Sequence, residues 1–134
     1  MTMKRTLYSF LYLLSFILYP VAYAHHSGAM FDGSTVVEVS GVVREFQYTN
    51  PHSWLLVDVT NADGSVTTWG FEAEGPSTFM RAGIRKGDLP PGTPISIRGN
   101  PMKDGRSAGA WIDAVVAGET INPRNGFAVI PAAE

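Results

Sequence analysis

Three histidines carry the metal-binding chemistry this 134-residue chain can offer: the adjacent pair His25-His26 and the distant His52. Position gives the pair its interest. His25 follows Ala22-Tyr23-Ala24, an A-x-A run of the kind at which leader sequences are cut. A chain cut after Ala24 begins with His25, whose α-amine and Nδ1 can chelate one metal together. A second imidazole completes a three-nitrogen, T-shaped set, the arrangement called a histidine brace. Nitrogen-only, tetragonal ligation favours Cu(II), which also heads the divalent affinity order. His52 is the candidate third ligand, and His26 could contribute its imidazole or amide nitrogen instead. The bland alternative is a solvated chain end and a histidine that merely braces a turn, since no fixed-spacing motif such as H-x-x-x-H is present. Zinc is a weaker choice than copper, because only three ligands are visible and an amine suits copper better.

The brace requires a leader, and residues 1–24 have the layout of one. Lys4 and Arg5 form a basic start. Thr6 to Tyr19 is an uncharged apolar run, Pro20 breaks it, and Ala22 and Ala24 occupy the small-residue positions. The run falls short of the roughly 20 residues that span a bilayer, so cleavage is expected rather than a membrane anchor, with the mature chain in the periplasm or secreted and no membrane attachment afterwards. The leader holds two of the ten Lys/Arg and none of the twelve Asp/Glu, leaving eight against twelve, a formal charge of −4. A mildly acidic chain without a basic cluster argues against nucleic acid as a partner. There is no cysteine, which excludes disulfides, thiol catalysis and Cys-type zinc sites.

The remaining elements must position the histidines. Residues 25–35 read as a polar, extended arm that Met30 and Phe31 could dock. Val37, Val39 and Val43 share one parity, whereas Phe46 and Tyr48 take the other. A long strand that switches face near Gly41 predicts a bulge or sharp coil, as closure of a small barrel requires. Thr49-Asn50-Pro51-His52 is a turn. Ser53 to Val59 alternates as a strand with Leu55, Val57 and Val59 on one face and Trp54 on the other. Asn61-Ala62-Asp63-Gly64 marks a hairpin, after which Trp69, Phe71 and Ala73 share a face. Gly75 to Gly83 is the one plausible helix, with Pro76 in its first turn and Phe79 and Met80 facing inward. Ile95 and Ile97 mark a fourth strand, Asn100 to Ala108 a polar turn, and Ala110 to Val116 a fifth strand. The order predicts a mostly β fold: a five-stranded OB-like barrel with one short helix, over residues 36–121. From residue 122 to 134 a loosely held tail is expected.

Several stretches resemble a family of small exported bacterial proteins of unknown function. They are Ala24-His25-His26-Ser27, Met30-Phe31-Asp32, Gly41-Val42-Val43-Arg44-Glu45-Phe46 and above all Thr49-Asn50-Pro51-His52-Ser53-Trp54. Arg81-Ala82-Gly83 and Pro91-Gly92-Thr93-Pro94 fit the same pattern. The resemblance covers nearly the whole mature chain and implies export and a small β-barrel. It implies no activity. Ala29 departs from the pattern, standing where many members carry an aromatic, which would loosen how the arm docks.

On an OB-like barrel the loop after the first strand and the loop between strands four and five lie on the usual ligand face. His52 is on the former. Met102 and Asp104 are on the latter, Met102 as a candidate soft axial ligand. Asp32 or Asp104 could serve as a hard ligand or as an acceptor for an imidazole N–H. Trp54, off the core parity, is the candidate contact for a non-metal ligand. The alternative function is therefore a binding module or adaptor for a sugar, small molecule or protein partner. Glu72 and Glu74 share a parity, but two surface carboxylates near a strand end are ordinary. No G-x-S-x-G, H-E-x-x-H or phosphate-cradling loop appears, which disfavours an enzyme.

Overall fold

The computed structural model describes residues 27–124 and 126–129. Strands β1 (Val37–Gln47), β2 (Ser53–Thr60) and β3 (Val66–Ala73) form an antiparallel meander. A short helix α1 (Pro76–Arg81) follows, and then β4 (Pro94–Pro101), β5 (Ala108–Val116), β6 (Glu119–Asn122) and β7 (Gly126–Val129). β4 pairs with both β1 and β5, and β3 pairs with β5 in parallel. The circuit β1-β2-β3-β5-β4-β1 closes a five-stranded barrel, with the helix between the third and fourth strands as an OB-like order requires.

Alternation along each strand turns one parity inward. Leu55, Val57, Phe71 and Ile97 are fully buried, and a side chain such as Phe71 gains about 2–3 kcal/mol from leaving water. Phe71 fits because its neighbours across the barrel are glycines. A Cβ on Gly99 would stand 2.8 Å from the Phe71 ring, and one on Gly109 would touch it at 3.5 Å. The parity switch in β1 is real, but it falls two to four residues past Gly41, where the β1–β2 register shifts between Val43 and Glu45. Arg44 and Glu45 both face solvent there, after which Phe46 turns back into the core. Gly41 serves a different purpose: its missing Cβ lets the Asp58 carbonyl approach.

Helix α1 caps one end of the barrel. Phe79 is fully buried and meets Phe46 edge-on, with ring centroids 5.3 Å apart. Met80, expected to face inward, is exposed, because a six-residue helix lying on a barrel mouth turns only one narrow stripe toward it. The Tyr48 hydroxyl lies within hydrogen-bond reach of the Pro76 and Ile84 carbonyls and so ties the helix to the end of β1. Gly83, at φ +79°, reverses the chain after the helix, a conformation glycine adopts without steric cost.

Two expectations need correction. The arm opens with a 3-10 turn, Ser27–Met30, rather than in extended form. Part of the stretch from Asn122 also belongs to the sheet, since β7 (Gly126–Val129) pairs with β6 from Glu119↔Val129 to Asn122↔Gly126. Its four residues are too short to give an alternation signal, and the free edge of β6 supplies the pairing. Among the described residues no helix is long and apolar enough to cross a membrane.

Candidate functional site

The Asn50-Pro51-His52 turn is built by local hydrogen bonds and one close approach. The Asn50–Pro51 bond is cis. The Thr49 hydroxyl donates to the His52 carbonyl at 3.1 Å, and the Ser53 amide donates to the Glu74 carbonyl at 3.3 Å. Gly75 lies against the turn so closely that a Cβ would stand 2.7 Å from the Pro51 carbonyl. The end of β3 and the turn after β1 are thus pressed together, which fixes where His52 points.

It points at Glu72. His52 Nδ1 is 2.8 Å from Glu72 Oε1. With the carboxylate as acceptor, the proton of a neutral imidazole sits on Nδ1 and Nε2 keeps its lone pair. Glu72 is only 7 % exposed. The reason is its place in the barrel: β3 lies between β2 and β5, and Glu72 stands in a rung with Trp54 on one side and Ala110 on the other. The expectation of an ordinary surface carboxylate is therefore wrong for Glu72. It holds better for Glu74, whose Oε1 accepts from Arg124 Nη2 at 2.9 Å and from Arg124 Nε at 3.2 Å.

A cavity of about 170 Å³ opens at this point, with His52, Glu72, Glu74, Trp111, Arg124 and Gly28 in its wall. Two of the wall residues each carry a buried polar atom, Glu72 Oε2 and Trp111 Nε1, with no hydrogen-bond partner among the described residues. Leaving such groups unmet costs about 1–3 kcal/mol each, and more for a charge.

Gly28 brings the arm to the cavity. The arm is tied down along the turn between β4 and β5. Phe31 bridges to Met102 and is buried, the Asp32 amide donates to the Pro101 carbonyl at 2.8 Å, and the Lys103 amide donates to the Met30 carbonyl at 3.0 Å. Lys103 Nζ adds a bond to the Ala29 carbonyl at 2.9 Å, and Asn100 Nδ2 one to the Thr35 carbonyl at 2.7 Å. Phe31 does the docking, while Met30 stays exposed.

His25 and His26, with the Ala24–His25 junction, lie outside the described residues. Among the described residues no group of three or more His, Cys, Asp or Glu side chains could hold a metal, so His52 stands there as the one placed member of the predicted brace. The accessory candidates are elsewhere. Met102 is buried beneath the arm by its pairing with Phe31 and does not line the cavity. The Asp32 carboxylate accepts from the Ser34 and Thr35 hydroxyls and the Ser34 amide, which hold it below the usual carboxylate range. The Asp104 carboxylate accepts from the Arg106 amide and Nε, with the same effect. The acceptor for the imidazole N–H is Glu72, not either aspartate. Trp54 is half-buried, its ring lying over Gly70, and lines neither this cavity nor the larger groove between Phe46 and Pro91.

Glu72, Trp111 and Arg124 were missed as site residues. For Glu72 a signal existed. The Asp63-Gly64 hairpin sets a register in which Trp54 faces Glu72, and continuing it places His52 opposite Glu74 and diagonal to Glu72, within side-chain reach. Trp111 and Arg124 depend on barrel closure and on β6, which no local pattern announces.

A family model described as a family of unknown function, DUF6152, matches residues 15–112. The chain belongs to this family. The matched span takes in His52, Glu72 and Trp111, whereas Arg124 lies beyond it. No curated protein and no solved structure gives a match to this DUF6152 chain, so its activity must be argued from the cavity.

Proposed function

We propose that the chain is exported, loses its leader after Ala24, and in its mature form binds Cu(II) through the His25 α-amine and Nδ1 together with His52, for metal handling or delivery. One observation carries this reading: the arm residue Gly28 and His52 line the same cavity. His25 is three residues upstream of Gly28, and three residues reach at most roughly 10 Å, a length of chain that would allow a mature N-terminus to meet the His52 turn. Glu72 adds to the case. A metal-binding imidazole usually donates its other N–H to a carboxylate, which sets the ring and raises ligand basicity, and Glu72 stands in that relation to His52.

The test is a copper titration of three forms of the protein: one beginning at His25, one that retains Ala22-Tyr23-Ala24 before it, and His52→Ala beginning at His25. Loss of a neighbouring hydrogen-bond partner alone weakens metal sites by about 10–100-fold, so loss of a ligand is expected to weaken binding by at least that much in the second and third forms. Equal, weak binding by all three would remove the brace and favour a non-metal binding module or adaptor. Export is checked separately by fractionation and N-terminal sequencing, with His25 as the expected first residue.

A further inference from the structure

We propose that the outer edge of the chain from Glu45 to Thr49, at the end of β1, takes up an extended peptide strand of a protein partner. The strand lies antiparallel to β1, with an acidic side chain at Lys86 and a basic one at Glu45. This requires neither copper nor cleavage of the leader.

β1 has two neighbours over only part of its length. β4 pairs with it from Val37 to Val42, and β2 from Val42 to Gln47. On the β4 side the last backbone bonds are those of Val43. Its amide donates to the Thr93 carbonyl at 2.8 Å, and its carbonyl accepts from the Gly92 amide at 2.7 Å. Beyond Val43 no described strand pairs with that edge. A groove of about 780 Å³ opens there, with residues 45–49 as one wall and Lys86, Gly87 and Leu89 to Pro91 as the other. Glu45, Phe46 and Gln47 line it in succession. Strand side chains alternate in direction, so a wall that takes in both parities is the backbone edge and not one face. The opposite loop does not close the gap, because Pro90 and Pro91 have no N–H to donate. That loop is held in turns of its own: the Thr93 amide and hydroxyl donate to the Pro90 carbonyl at 3.2 and 2.7 Å, and the Asp88 amide donates to the Arg85 carbonyl at 3.0 Å. An open strand edge in a preformed groove is what a strand-adding peptide uses, with main-chain bonds supplying affinity and side chains supplying choice.

Charge defines the peptide. The bonds between Val43 and Gly92 fix the Pro91 end of the groove beside Glu45. The Tyr48 hydroxyl, in reach of the Ile84 carbonyl, fixes the Lys86 end beside Thr49. The groove thus runs from a carboxylate to an ammonium over about 10 Å of strand. Neither charge has an ion partner among the described residues. Lys86 makes no hydrogen bond or ion pair there, and Glu45 meets only the Gln47 side-chain amide at 3.2 Å. An antiparallel strand, the slightly more stable pairing, passes Lys86 first and Glu45 last. Its acidic residue therefore precedes its basic one.

The experiment titrates the isotope-labelled full chain with the end-capped pentapeptide Glu-Val-Thr-Val-Lys and with its reverse, Lys-Val-Thr-Val-Glu, and follows the backbone amides by NMR. Shifts are expected at residues 45–49, with the acid-first peptide binding about tenfold more tightly, the combined effect of two exposed ion pairs. The double variant Glu45→Lys with Lys86→Glu should invert the preference, and both side chains are exposed, so the fold is kept. Alternate amides of a strand face the same neighbour. N-methylation of the odd-numbered or of the even-numbered peptide amides should therefore abolish binding in one set and spare it in the other. Absence of shifts at residues 45–49, equal affinity for the two orders, tighter binding of the reverse peptide by the parent chain, or tolerance of both methylated sets overturns the proposal. Movement of the same amides on dilution of the peptide-free protein also overturns it, by making a second copy the occupant. None of these readouts involves copper, so this proposal and the brace fail separately.

Discussion

The molecule holds two carboxylates on outward-facing strand positions that meet very different surroundings. Asp113 on β5 faces Arg98 on β4 as its register partner. The guanidinium Nε lies 2.8 Å from Asp113 Oδ1 and Nη2 meets Oδ2, so both oxygens are answered. The hydrogen bond and charge of Asp113 in turn raise the Arg98 pKa. Arg98 remains half-exposed. Glu72 on β3 is buried more deeply, has an imidazole in place of a guanidinium, and keeps one oxygen unmet. The first pair is complete and tells of sheet register. The second is incomplete in the one place where burial makes incompleteness costly, and it is the place where the N-terminal arm returns to the barrel. Asp113 is therefore read as architecture and Glu72 as part of a site.

The sharpest way to break this contrast is to remove the partner from each carboxylate. His52→Ala, in the form beginning at His25 and with EDTA present, strips Glu72 of its placed donor. It is expected to lower unfolding stability by about 2 kcal/mol, a figure reduced from the usual cost of breaking a buried pair because His52 is 38 % exposed. Urea unfolding measures it, and a neutral result would mean that Glu72 is held by other means. Arg98→Ala removes a bidentate but half-exposed partner and is expected to cost about 1 kcal/mol or less, by the same measurement. Arg124→Ala should cost less again, at most about 0.5 kcal/mol, because Arg124 is 74 % exposed. A loss as large as that from His52→Ala would move the weight of the cavity from Glu72 to Glu74. The smallest effect concerns the arm. The Ser34 hydroxyl, then the Thr35 hydroxyl and the Ser34 amide, hold the Asp32 carboxyl below its ordinary value of 3.8. Because the folded-state value is depressed, its contribution is present above about pH 3.8 and fades as the pH falls through the lower folded value. Amide exchange at Ser34 should quicken over that acid range, and Asp32→Asn should flatten the dependence.

Much of the barrel was legible because its signals are local. The alternation of Leu55, Val57 and Val59, the Asp63-Gly64 turn and the alternation of Trp69, Phe71 and Ala73 each lie within about ten residues, and all stand in the structure as read. The parity change in β1 was visible too, although its cause is the bulge at Arg44–Glu45 and not Gly41. The site was legible only in half. His52 advertises itself by chemistry, whereas Glu72 looks like any strand-end carboxylate until its neighbours are known. Met102 looked like a free sulfur ligand on a polar turn, and only the bridge to Phe31 shows it to be covered.

The sequence by itself determined the five barrel strands, the turns between them and the one helix, and which parity of β2 and β3 faces the core, since these follow from side-chain period and from the backbone freedom of Gly and Pro. Only the tertiary structure decided what surrounds His52. That depends on the parallel pairing of residues 70–72 with 108–110, on the arm lying along the β4–β5 turn, and on β6 carrying Arg124 back to Glu74. Each of these joins segments some 35 to 75 residues apart. Such contacts form because closing the barrel satisfies edge hydrogen bonds and buries Phe71 and Trp111 in one core. No period or spacing within a single stretch encodes that closure, so the burial of Glu72 and its unmet oxygen emerge only when the barrel is complete.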